Sequence, residues 1–197
     1  MGQAPILCFN RIADILDKDH KMPKGKTMNN RTPSWCKKRL GRLSRHYVGG
    51  SFDNGTKMKA IIADYLAQAT RNRLVFCHEQ IEGLTFVNVG KALADSLVKQ
   101  DLRSPMIAYM AEEVLDEILS STKEDDEIGS YVALDNIGVL FEPDLAFNLK
   151  SVIDSASTNK VVIILSDGII KSDRYYFLQE GDASFIDLHG LSYIEIY

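Results

Sequence analysis

Hydrophobic positions from about residue 57 to the end of the chain switch repeatedly between helical and strand-like spacing. Apolar residues recur every three or four positions in the segments predicted to be helices: "KMKAIIADYLAQATR", "KALADSLVKQ", "PMIAYMAEEVLDEILSS" and "DLAFNLKSVIDSAS". Shorter apolar runs predict strands: "RLVFC", "LTFVNV", "YVALDN", "KVVIILSD", "RYYFLQE" and "SYIEIY". This alternation favours an α/β fold, with a mainly parallel sheet flanked by helices.

Three segments of this region carry more specific patterns. Val162, Ile163 and Ile164 are consecutive β-branched residues, which predicts a central strand covered by helices on both faces. The spacing in "KMKAIIADYLAQATR" predicts one buried helix face made of Met58, Ile61, Ile62, Tyr65, Leu66 and Ala69. The charged stretch "KEDDE" predicts an exposed acidic loop.

The first fifty residues have a different, basic character. Residues 8–18 have the spacing of a short helix, and "DHKMPKGKTMNNRTPS" predicts a loop. Thr32 is a good N-cap and Pro33 suits the first helical position, which predicts a second helix over "SWCKKRLGRLSRHY". The glycine-rich "GGSFDNG" then predicts a boundary, which divides the chain into a basic helical segment (1–50) and an α/β domain (57–197).

Charge is distributed unevenly along the chain. The net charge is -4, yet Lys18 to Arg45 contains ten Lys or Arg and one acid, and Glu112 to Asp144 contains eleven acids and one base. Such separation is typical of two surfaces with different partners, although the two segments can instead face each other or simply be solvated. The candidate binding residues on the predicted basic helix are Trp35, Lys37, Lys38, Arg39, Arg42 and Arg45. They suit DNA or RNA contacted through residues 18–46, or an acidic protein.

Composition limits the other function classes. The chain has 197 residues, 45% hydrophobic and 25% charged, which is typical of globular proteins. No apolar run approaches the roughly 20 residues that span a bilayer, and the N-terminus lacks a secretory signal. Its three cysteines are far apart and odd in number, which excludes a disulfide framework and gives no zinc spacing. We therefore expect a cytoplasmic protein with no membrane contact, no bound metal and no cofactor.

One strand ends in a candidate nucleotide-site residue. In "YVALDNIGVLFEP" an apolar run leads to Asp135 and Asn136, and many nucleoside triphosphatases hold magnesium through an acid at the end of such a strand. The alternative is that Asp135 and Asn136 only cap the next turn, as these residue types commonly do.

Several segments resemble the small P-loop-like protein (the BrxF type) of BREX phage-exclusion defence systems. They are "LTFVNVGKALADSL", "ALDNIGVLFEPDL", "NLKSVIDSASTNKVVIILSDG" and the ending "YYFLQEG…LSYIEIY". The resemblance runs from about residue 57 to the end and covers about two thirds of the chain. The resemblance implies a P-loop NTPase-like domain over residues 57–197. It also implies a role in a bacterial antiviral assembly with other defence subunits as partners.

The phosphate-binding loop of that family is missing from this sequence. A P-loop reads G-x-x-x-x-G-K-[ST] between a strand and a helix, but "RLVFC" is followed by "HEQIEG" and then by "LTFVNV". The "KGKT" at 24–27 has no preceding strand and no first glycine. We therefore expect a non-catalytic scaffold. The alternatives are an active or composite-site ATPase, and a phage or host nucleic-acid-binding regulator without enzymatic activity.

Overall fold

The computed structural model describes residues 54–98, 106–177 and 184–197. The helices in these ranges are α1 (Asn54–Leu66), α2 (Val89–Leu97), α3 (Ile107–Ser120) and α4 (Leu149–Asn159), with two short 3₁₀ helices at Ile137–Phe141 and Pro143–Leu145. The strands are β1 (Leu74–Cys77), β2 (Phe86–Asn88), β3 (Lys123–Asp125), β4 (Gly129–Asp135), β5 (Val161–Leu165), β6 (Ile169–Lys171), β7 (Arg174–Tyr176), β8 (Phe185–Asp187) and β9 (Tyr193–Ile196).

The strands form two sheets. Five strands lie parallel in the order β2-β4-β5-β1-β9, and β3 pairs antiparallel with the first residues of β4. The second sheet is small and antiparallel, with the order β6-β7-β8. The predicted α/β class with a mainly parallel sheet and flanking helices is confirmed.

Helices and loops bury both faces of the main sheet. One face, made of alternate strand residues such as Phe76, Val132 and Ile164, packs against α2, α3 and α4. The intervening residues, such as Val75 and Ile163, pack against α1 and Ile81. Successive strand residues point to opposite faces, so each buried strand needs apolar residues at every position.

The central-strand prediction is confirmed. β5 pairs with β4 on one side and β1 on the other. Val162 and Ile163 are 0% exposed and Ile164 is 1% exposed. This run of branched side chains therefore forms the middle of the domain.

Other local predictions were wrong. Ile61 is 42% exposed rather than buried, and α1 ends before Ala69, whose φ is +52°. The "KEDDE" segment is not simply a loop, since Lys123–Asp125 forms β3. The strands predicted in "RYYFLQE" and "SYIEIY", by contrast, are confirmed: the first contains β7 of the small sheet and the second contains β9 of the main sheet.

An ion pair connects α1 to the last residue of β3. The Lys59 ammonium lies 2.6 Å from the Asp125 carboxylate, and both side chains are largely covered. The hydrogen bond to Asp125 raises the pKa of Lys59. Burial alone would raise the pKa of Asp125, but hydrogen bonds from Lys59 and from the Glu127 and Ile128 N–H groups outweigh it, and that pKa is lowered.

Candidate functional site

The carboxyl edge of the main sheet is where a ligand would bind in this topology. The connection from β1 runs past β5 and β4 to β2 and buries Ile81 on one face of the sheet, whereas the connection from β5 runs past β1 to β9 and buries Tyr175 and Ile186 on the other face. Connections that leave neighbouring strands towards opposite faces leave a crevice beyond the carboxyl ends of those strands, and open α/β sheets bind ligands there. The residues that follow β1, β4 and β5 are therefore the candidates for a functional site.

Residues 78–85 connect β1 to β2 without a helix, as the sequence predicted. Ile81 is buried on the sheet face that α1 also covers, and the Thr85 N–H donates to the Tyr131 hydroxyl at 3.1 Å. A Cβ added at Gly55 in α1 would lie 2.6 Å from the Glu82 Cβ. The first turn of α1 thus packs closely against this connection.

The end of β1 is held by β9. His78 Nε2 lies 3.0 Å from Glu195 Oε1, and the His78 ring stacks on Tyr197 with 4.4 Å between ring centroids. The His78 N–H also donates to the Ile196 carbonyl at 3.1 Å. His78 directly follows "RLVFC", where a P-loop would begin, but the sequence does not reveal Glu195 and Tyr197 as its partners. Their positions are more than 115 residues away along the chain.

Asp135 and Asn136 lie at the carboxyl end of β4, as predicted. Asn136 has a φ of +53°, and its side-chain amide donates to Asn88 Oδ1 at 3.1 Å. Asn88 Oδ1 also accepts the Lys91 N–H at 2.8 Å, so Asn88 caps the start of α2. The Asn136 side chain does not cap the 3₁₀ helix that follows it. Its amide is instead hydrogen-bonded to Asn88, which connects the ends of β4 and β2.

Close packing explains why residue 90, near the start of α2, is a glycine. A Cβ added at Gly90 would lie 2.7 Å from the Asn136 Nδ2, so glycine lets the two strand ends approach. No local pattern in the sequence predicts this contact. Asp135 is half-buried and pairs in register with Asn88. A carboxylate and two amides therefore lie on two neighbouring strand ends at this edge of the sheet.

The end of β5 forms a tight turn. The buried Ser166 donates its N–H to the Cys77 carbonyl at 2.7 Å, and its hydroxyl accepts the Gly168 N–H at 3.3 Å. A Cβ added at Gly168 would lie 2.1 Å from the Tyr176 carbonyl oxygen, which leaves no room for a side chain. Ser166 therefore stabilises the turn that follows β5.

Cys77 is not poised for chemistry. Burial raises the pKa of its thiol to about 12, and Sγ lies 3.6 Å from the Ile164 carbonyl oxygen. A thiol this basic stays protonated at neutral pH, and the thiolate is the reactive form. Within the described residues, no group of three or more His, Cys, Asp or Glu side chains is placed to hold a metal ion.

A cleft of about 580 Å³ lies at the opposite, amino edge of the sheet, between α3 and α4. Hydroxyl-bearing and small side chains form much of its wall, among them Ser120, Ser151 and Ser155. The Lys160 ammonium donates to the Leu119 carbonyl at the end of α3, so this cation serves the helix terminus. The cleft brings together no set of groups with an evident reaction.

The basic candidate residues lie outside the described part of the chain: Trp35, Lys37, Lys38, Arg39, Arg42 and Arg45. In the part described, no helix is long and apolar enough to cross a membrane. No family model matches the chain, and neither a curated protein nor a solved structure matches it.

Proposed function

We propose that this chain is a non-catalytic subunit of a bacterial phage-defence assembly, with a degenerate P-loop NTPase-like domain serving as a scaffold. The proposal joins the BREX resemblance of the sequence to one observation, the closure of the carboxyl end of β1 by His78, Glu195 and Tyr197. That is the position from which a phosphate-binding loop would leave the strand.

The groups after β1 are poorly suited to phosphate. A phosphate loop offers free backbone N–H groups and closely approaching glycines. Here the His78 and Ser166 N–H groups donate to main-chain carbonyls of β9 and β1. The exposed Glu79 follows, and its negative charge would repel a triphosphate. A scaffold requires only that this edge be stable, which these contacts provide.

Titration of the full chain with ATP and magnesium tests the scaffold. In a calorimetric titration we expect ATP to bind with a dissociation constant no lower than about 10 µM, which corresponds to a binding free energy of about -7 kcal/mol. Asp135→Asn is the informative variant, because a composite-site ATPase would use this carboxylate for magnesium. If the parent chain binds ATP tightly and Asp135→Asn does not, the composite-site ATPase is correct and the scaffold is wrong. The position of Asp135 at the end of β4 is the observation that favours this alternative.

Assembly is assigned to the basic segment, residues 18–46. A pull-down from the native host, with and without nuclease, compares the parent with Trp35→Ala and Arg42→Glu/Arg45→Glu. We expect Arg42→Glu/Arg45→Glu to abolish recovery of the partner, because the two arginines of the parent chain would contact the partner's phosphates or acidic side chains. Loss on nuclease treatment would favour the nucleic-acid-binding regulator, whereas dependence on Trp35 would favour a protein partner.

A matched control for the charge reversal is available in the described domain. Lys57→Glu/Lys123→Glu changes the net charge by the same amount at two exposed positions outside the basic segment. Equal loss of the partner in both double variants, or no loss in either, would remove the basic segment from the proposal.

A further inference from the structure

We draw no further inference here: the strongest candidate, the hydroxyl-lined cleft between α3 and α4 at the amino edge of the main sheet, carries none because no polar side chain in its wall is buried and nothing in the described part of the chain shows what would occupy it.

Discussion

Replacing Ile163 with alanine is expected to lower the free energy of unfolding by about 2–5 kcal/mol. The side chain is fully buried in the central strand, where it contributes to the cluster beneath α1. Truncation removes apolar contacts and leaves a cavity that the paired strands β1 and β4 cannot easily close. Urea denaturation followed by circular dichroism gives the change as a shift of the midpoint at constant slope.

Ile61 supplies a control with the same side chain. It lies on α1 and is 42% exposed, so Ile61→Ala should change stability by no more than about 0.5 kcal/mol. If the two alanine variants unfold at the same urea concentration, the burial assigned to β5 is incorrect.

Replacing Asn72 with alanine is expected to cost about 2–4 kcal/mol through several lost hydrogen bonds in the interior. The Asn72 side chain is fully buried just before β1. Its amide donates to Asp154 Oδ1 at 2.7 Å and to the Ser157 hydroxyl at 3.1 Å, and its oxygen accepts the Ser192 N–H at 3.3 Å. One side chain thus connects the start of β1 to α4 and to the segment before β9.

Asn72→Asp distinguishes hydrogen bonding from simple packing. The aspartate keeps the shape but replaces the donor with a carboxylate beside Asp154, so we expect it to be at least as destabilising at neutral pH. Asn159→Ala, at an exposed position in α4, should have little effect. An Asn72→Ala variant with the thermal midpoint of Asn159→Ala would contradict a structural role for Asn72.

Local patterns in the sequence predicted individual elements well. The branched residues of β5 predicted its complete burial because helices on both faces require apolar side chains at every position. Asp135 was placed correctly at a strand end, since the apolar run before it stops there. The absence of a helix between β1 and β2 also followed from the sequence, because "HEQIEG" is too short to contain one.

Non-local contacts could not be predicted in the same way. The sequence does not specify that β9 pairs with β1, or that Glu195 meets His78, because no local rule relates strands separated by over 110 residues. The roles of Asn88 and Gly90 could not be predicted either, because both depend on their contacts with Asn136, a residue of another strand end. The exposure of Ile61 was missed because helical spacing marks a broad stripe, whereas the packing of α1 decides its edges.

The position of β1 has a consequence for how the chain acquires its structure. Both of its neighbours, β5 and β9, come late in the sequence, the nearer beginning at Val161 and the other at Tyr193. During synthesis β1 therefore emerges long before either partner, with an apolar strand and two unpaired edges. Loop closure over this distance slows folding, which leaves time for wrong association. β9 follows every other described strand in the sequence, and it is also the strand that covers the open edge of β1.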